Sequence, residues 1–565
     1  MIVVDRLLGR LLHLPPVTGA ALRSVQTQPL TVPMADGALL RADRFFVGDR
    51  PGDPVVLLRG PYGRTGATAA LGRAYAARGL QAVVVSCRGT FGSGGQWYPM
   101  RDEVPDGLAT WEWLRAQPWF PGTVVLAGPS YLGYTQWALA SQVPGDIAAM
   151  VPHVTSSRLT LPFVRPDALD WDLLVRWHFL LEHQEERSAA VRSMLKLDEK
   201  RLQRAFLTLP KSSVDRQLAG HRWDFFQDCL EHDADDPHWE STDHSDKVAG
   251  LATPASYVGG WYDIFLPDQL RDYAATASGS APHRLTIGPW THGSPAGIGA
   301  AVNEALAFAA PYTFGTAPAP RAQVRLYVMG TGKKNTAAPL PGRPATAPWR
   351  DFSSWPPAGY PATRLHLHGD GRLRPDAPAG PGSPSLFSYD PADPTPSAGG
   401  PFLSFGGGAE DNRELERRPD VLVFSTSELT ADVEVIGEVS AQVWFASDRP
   451  SADVFVRLCD VDARGKSVNV CDGIVGLRGV DGIATGPVTV TLWPTAYLFR
   501  RGHRIRVQVS SGSHPRYARN TGTDERRPSA AVLAVARQQV WHDADHPSAV
   551  VLPVATAHRS VLAGR

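Results

Sequence analysis

Short apolar runs alternate with helical stretches over the first 155 residues. Val55-Val56-Leu57-Leu58 predicts a buried strand, followed by a helix over Ala67 to Arg78 that Gly79 closes. Gln81 to Val85 predicts a second strand, Asp106 to Gln117 a helix, and Thr123 to Ala127 a third strand. Unbroken β-branched strands separated by helices predict a parallel sheet covered on both faces. The pattern changes at about residue 158, where Leu, Trp and charged residues recur at helical spacing through Leu169 to Leu197 and Lys200 to Leu230. Strand runs return at Ala255 to Val258 and Arg284 to Ile287, each followed by glycine, and again at Gln323 to Met329. Beyond about 350 the helical period fades. Turns rich in Pro, Gly and Asp separate Val421–Ser425, Ala441–Ala446, Val454–Leu458, Val488–Leu492 and Ile505–Ser510, the signature of a β-sandwich or jelly roll. The predicted organisation is an α/β domain in two parts (1–157 and 251–352), a helical cap (158–250) and a jelly roll (353–565), with Asp393 to Gly400 as a loop.

Composition narrows the function classes. Lys plus Arg and Asp plus Glu both number 56 in 565 residues, so the basic excess expected of a nucleic-acid binder is missing. The Arg500-Arg501-Gly502-His503-Arg504 piece reads as a solvated strand edge. No eighteen apolar residues run together, so no membrane span is predicted. The N-terminal Met1 to Leu12 mixes charge with leucine, which suits an amphipathic helix packed on the body or in a homo-oligomer rather than a signal peptide. Four dispersed cysteines without a CxxC pair point to reduced thiols and a cytoplasmic location, with pairing of Cys459 and Cys471 left open.

The chemistry starts where the third strand meets a helix, at Ala127-Gly128-Pro129-Ser130-Tyr131-Leu132-Gly133. A serine between glycines at such a turn is a nucleophile elbow: the turn needs small residues, lifts the hydroxyl above the sheet, and aims a helix N-terminus at the reacting carbonyl. The spacing is G-x-S-x-x-G instead of G-x-S-x-G, so the elbow alone reads equally as a serine capping a helix. Two later residues decide between these. Asp263 follows the strand at Ser256–Gly259, and His292 follows the strand at Leu285–Gly288. The order Ser, acid, His, each at a strand's C-terminal end, is that of an α/β-hydrolase triad. Histidine can take the serine proton and return it near neutral pH, while the carboxylate fixes its tautomer. No metal or organic cofactor is called for.

These residues sit among a larger set: Arg59-Gly60-Pro61-Tyr62-Gly63, Arg88-Gly89, Gln117-Pro118-Trp119, Gly260-Trp261-Tyr262-Asp263, and Gly288-Pro289-Trp290-Thr291-His292. Later come Asp393-Pro394 with Gly399-Gly400, Asp411-Asn412-Arg413, Arg418-Pro419-Asp420, and His542 to Ser548. Over nearly its whole length the chain resembles the cocaine esterase / X-Pro dipeptidyl-peptidase family of serine hydrolases (CocE/NonD hydrolases). The resemblance implies an α/β-hydrolase fold with an inserted helical cap and a C-terminal β jelly roll. It also implies an oxyanion hole made by the Tyr62 hydroxyl and the Tyr131 backbone N–H. The family pattern carries an acidic residue two before its Arg-Gly, where this chain has Ser86-Cys87, so an ion pair for Arg88 is in doubt. Relatives that cleave α-amino-acid esters cluster carboxylates after the triad aspartate. Here Ile264-Phe265-Leu266 follow Asp263, which suits an apolar group.

The substrate is therefore expected to be a small-molecule ester or amide, with Phe265, Trp171, Trp177 and Phe402 as candidate pocket residues. An X-Pro dipeptidyl-peptidase is the rival enzyme, and a carbohydrate-binding protein with a vestigial triad is the rival outside catalysis. His366 and His368, and the run His542-Asp543-Ala544-Asp545-His546, read as solvated strand and structural loop rather than metal sites.

Overall fold

The computed structural model describes residues 2–48, 52–143, 147–165, 168–186, 197–332, 336–340, 342–403, 407–479, 482–483 and 486–562. The chain forms two compact units, one of Met1–Thr160, Pro237–Leu326 and Asn335–Ser353, the other of Leu161–Asp236, Tyr327–Lys334 and Ser354–Arg565.

The first unit is built on a ten-stranded sheet. An antiparallel pair, β1 (Val25–Pro33) and β2 (Leu39–Val47), leads into β4 (Gln81–Ser86) and β3 (Val55–Gly60). The order continues through β5 (Val124–Pro129), β6 (Ala149–His153), β7 (Ala255–Tyr262), β8 (His283–Thr291), β9 (Val324–Tyr327) and β10 (Trp349–Phe352). From β4 to β9 neighbouring strands pair in parallel. Every residue of β3, β4, β6 and β7 is buried, which is why these strands read as apolar runs without alternation. Because the strands run parallel, the residues that follow β3, β5, β6, β7 and β8 emerge at one edge. Helices Gly66–Ala76, Glu103–Arg115, Tyr131–Ala140, Leu266–Ala277 and Pro295–Phe308 supply the covering layers. The helical starts fall at Gly66 and Glu103, slightly ahead of the sequence-based bounds.

Arg88 finds its partners outside its own motif. Its guanidinium donates to Asp106 (Nη2–Oδ1 2.6 Å) and pairs with Asp36 at 2.5 Å, so the missing acid at position 86 is replaced by two others. Ser86 meanwhile accepts from Arg64 at 2.6 Å. The ion pair that the sequence put in doubt is present, supplied by residues distant in the chain.

The second unit contains the helices Trp171–His183, Glu199–Phe206, Val214–Ala219 and Asp224–Glu231, and an antiparallel β-rich part. One sheet has eight strands centred on Val433–Ser447. The other has four: Leu422–Ser425, Arg504–Ser510, Ser451–Val461 and Ser467–Arg478. The strands at Val433–Ser447, Ser451–Val461 and Val488–Phe499 exceed the apolar runs that predicted them. The extra length of the first includes exposed or half-buried polar positions such as Glu438 and Ser440, that of the second buried polar ones such as Asp453 and Asp460, and in the third Pro494 and Thr495 interrupt the apolar run. Cys459 and Cys471 lie on paired strands but both are buried free thiols, with a register shift between Leu458 and Cys459.

A buried ionic knot ties the β-rich part together. Asp472 accepts from Arg457 (Nη2–Oδ2 2.9 Å) and from Arg516, and all three side chains are fully buried. Arg457 also donates to Ala398 O at 2.6 Å and Asn412 Oδ1 at 2.7 Å. The loop 393–400 is thereby held in place, and a Cβ on Gly400 would come within 3.0 Å of Arg516 Nη1. Thr395 donates to Asp420 (2.6 Å), which also takes Arg418 (2.8 Å). Several of the later motif residues thus serve structure. Because losing one member strands buried charge, Asp472→Asn is expected to destabilise this unit by about 3–5 kcal/mol. Denaturant midpoints of the two proteins measure this, and equal midpoints would contradict it.

Candidate active site

Ser130 sits between β5 and the helix Tyr131–Ala140 with φ 56° and ψ −123°, a backbone conformation costly for a side chain with a Cβ. Its N–H donates to His153 O at 2.9 Å, and its carbonyl accepts from Gly133 N (2.8 Å) and Tyr134 N (3.0 Å). The unusual glycine spacing has a steric explanation. Leu132 occupies the position two after the serine, and its side chain lies where a Cβ on Gly128 or Gly60 would be, 2.5 Å away in each case. Gly133 faces Thr155, whose Cγ2 would be 2.3 Å from an added Cβ. Small residues at 60, 128 and 133 together make the room that the helix after the serine needs.

Asp263 is fully buried after β7. One carboxylate oxygen accepts Phe265 N at 2.9 Å; the other accepts His292 Nδ1 at 2.7 Å. Donation from Nδ1 leaves Nε2 as the basic nitrogen of His292, whose side chain is 10% exposed. Two close approaches set this geometry. A Cβ on Gly260 would meet Trp290 O at 2.3 Å, and one on Gly288 would meet the Trp290 ring at 2.3 Å. Ser294 then holds the loop, accepting Thr291 N at 2.9 Å and preceding the helix Pro295–Phe308. The Phe265 ring stands edge-on to His292, centroids 5.5 Å apart.

Tyr62 lies on the loop after β3, with its ring 6.5 Å from that of Tyr131. Tyr131 is the first helical residue after the serine, where a backbone N–H has no intrahelical acceptor. Its phenol does something else: it donates to Glu103 Oε1 (2.9 Å) and accepts from Met100 N (2.7 Å). Glu103 is itself paired with Arg59 at 2.7 Å, in the motif that carries Tyr62. The strand ends of β3 and β5 are therefore cross-tied beneath the two tyrosines.

His153, at the end of β6, escaped the sequence reading. Its backbone anchors Ser130, its imidazole is buried, and burial together with neighbouring His292 pushes its pKa down to about 3. The only sequence signal was a histidine ending a buried apolar strand. The remaining pocket candidates belong to the second unit. Trp171 is 1% exposed and donates its indole N–H to Phe206 O at 3.1 Å. Trp177 packs on Phe163 (5.2 Å) and Phe225 (6.0 Å). Both are core residues of the helical segment, and Phe402 lies on a half-buried loop.

Comparison with known proteins extends this picture. Residues 36–294 match the family described as X-Pro dipeptidyl-peptidase (S15 family), and 319–551 match the X-Pro dipeptidyl-peptidase C-terminal non-catalytic domain. The cocaine esterase of Rhodococcus sp. (strain MB1 Bresler) is 30% identical, covering 93% of this chain and 97% of its own. The chain belongs to the cocaine esterase / X-Pro dipeptidyl-peptidase family. It is a serine hydrolase of the CocE/NonD type. Two solved structures share its fold. An aminopeptidase from a marine sediment Thaumarchaeota archaeon has a TM-score of 0.80 at 20% identity, covering 94% of this chain and 97% of its own. An α-amino acid ester hydrolase has a TM-score of 0.77 at 20% identity, covering 96% and 98%. Both give the same pairing of a mixed α/β sheet core with a C-terminal antiparallel β-rich domain.

The double use of Tyr131 is testable. Tyr131→Phe removes the phenol and orphans Glu103 Oε1 and Met100 N, at an expected cost of about 1–3 kcal/mol. The backbone N–H stays, so kcat should change less than a few-fold; melting curves and steady-state kinetics on one preparation separate the two effects.

Proposed function

We propose that the protein hydrolyses uncharged carboxylic esters through an acyl-enzyme on Ser130, with His292 and Asp263 completing the triad. The observation that carries this is the His292 Nδ1–Asp263 Oδ2 hydrogen bond of 2.7 Å, formed by loops that leave β7 and β8 at the edge where β5 delivers the elbow serine. His292 Nε2 takes the proton of Ser130 Oγ as the oxygen attacks the ester carbonyl. The tetrahedral oxyanion accepts from the Tyr62 hydroxyl and the Tyr131 N–H, the latter at a helix N-terminus. His292 then gives its proton to the leaving alcohol. Water repeats the sequence on the acyl-enzyme, releasing the acid and Ser130. Asp263 keeps Nδ1 protonated throughout and stabilises the imidazolium.

The preference for an uncharged ester rests on Ile264, Phe265 and Leu266. All three are buried, none carries charge, and Phe265 borders His292. The name of the 30% identical relative, cocaine esterase, points to ester chemistry as well.

A fluorophosphonate should label Ser130, and Ser130→Ala should abolish both labelling and turnover; an adduct mapped elsewhere would refute the assignment. Tyr62→Phe is expected to lower kcat by about 10²–10³-fold with little change in KM. Turnover of p-nitrophenyl butyrate should exceed that of Gly-Pro-p-nitroanilide; the reverse order would make the enzyme a dipeptidyl-peptidase.

A further inference from the structure

A cavity of about 290 Å³ lies inside the second unit, between the strands Ser451–Val461 and Ser467–Arg478, the segment 518–530, and Lys211 of the helical segment. Lys211 is 5% exposed, yet its ammonium, with three donors, makes one long contact, 3.5 Å to Arg519 O. Arg519 is buried too, and its guanidinium donates only to backbone carbonyls, at 2.8 Å to Pro391 and 2.5 Å to Leu207. Among the described residues no carboxylate forms an ion pair with either. Uncompensated buried cations are costly, and proteins ordinarily pair them.

The acids on the wall are committed elsewhere. Asp233 takes Arg527 at 3.3 Å. Glu525 accepts Ala531 N (3.2 Å) and Val532 N (3.0 Å). Asp453 accepts Asn520 Nδ2 at 2.8 Å, and burial pushes its carboxyl up to about 7, so it carries only part of a charge near neutral pH. Arg478 stands exposed at the cavity wall. Buried Lys211 and Arg519, half-buried Arg527 and exposed Arg478 thus line the chamber, and among the described residues no acid forms an ion pair with Lys211 or Arg519.

We propose that this cavity is a binding site for a small oxyanion, a carboxylate or phosphate, held by Lys211 and Arg519 with Arg478 at its wall. Guanidinium and ammonium donors together match the oxygens of such groups. Burial, and then the nearby Arg519 and Arg527, lower Lys211 to about 8, whereas Asp453 opposes and Arg478 adds to the shift. His514, pushed down to about 4, and Tyr389, whose phenol burial raises, stay neutral between pH 6 and 9. A bound anion favours the charged amine, so binding near pH 8 takes up a proton. Affinity should fall as pH rises from about 7 to 9, as Asp453 gains charge and Lys211 loses it.

The test is calorimetric titration of the intact protein with inorganic phosphate and, separately, succinate, at ionic strength fixed with sodium chloride. Saturable binding of either anion is expected, stronger at pH 6.5 than at pH 9; the preferred anion identifies phosphate or carboxylate as the natural group. Lys211→Met should weaken binding at least tenfold, and Arg478→Gln, which alters only an exposed side chain, several-fold. Ester turnover without added anion should be unchanged in both. Absence of binding to the wild type, or equal affinity in wild type and both variants, overturns the proposal.

Discussion

The constraint on which the first unit turns is a single backbone conformation. Ser130 is held at φ 56°, where a side chain costs about 1–3 kcal/mol, and the surrounding structure keeps it there. Its N–H is taken by His153 at the end of the neighbouring strand, and its carbonyl starts the helix that follows. That helix can leave the strand so sharply only because Gly60, Gly128 and Gly133 make room for Leu132 and Thr155. The hydroxyl, the helix N-terminus and the cross-tie beneath Tyr62 and Tyr131 all follow from that one turn.

The electrostatics of the site are arranged around one transient charge. In the proposed acyl transfer His292 would become a cation, and Asp263, fully buried and already hydrogen-bonded to it, would be the counter-charge. The second imidazole in the neighbourhood, His153, does not compete. Burial and His292 push its pKa down to about 3, so near neutral pH it adds no second positive charge beside the imidazolium.

The second unit solves a different problem with the same means. Several of its motif residues are spent on buried polar ties: Asn412 on Arg457, which with Arg516 pairs Asp472, and Thr395 and Arg418 on Asp420. Such ties fix loop 393–400 without apolar side chains. A motif there reflects the need to satisfy buried charge, whereas the motifs of the first unit place the candidate site residues.

The sequence by itself determined the parts that depend on local pattern. Parallel strands buried on both faces appear as unbroken apolar runs, so β3, β4 and β5 and the helices between them were legible, as was the serine at a strand-to-helix turn. The order of Ser130, Asp263 and His292, each at a strand end, marked them as one candidate site. What contact decides was out of reach. Pairing of Arg88 with Asp106 and Asp36, the room that Gly60, Gly128 and Gly133 leave for Leu132 and Thr155, and the electrostatic influence of His292 on buried His153 join positions far apart in the chain. Long strands were read short for a related reason: the polar positions within them, exposed as at Glu438 or buried as at Asp453, carry little hydrophobic signal. Periodicity records which way a residue faces. Only tertiary structure says what it meets there, because that partner is set by chain topology and not by neighbours in sequence.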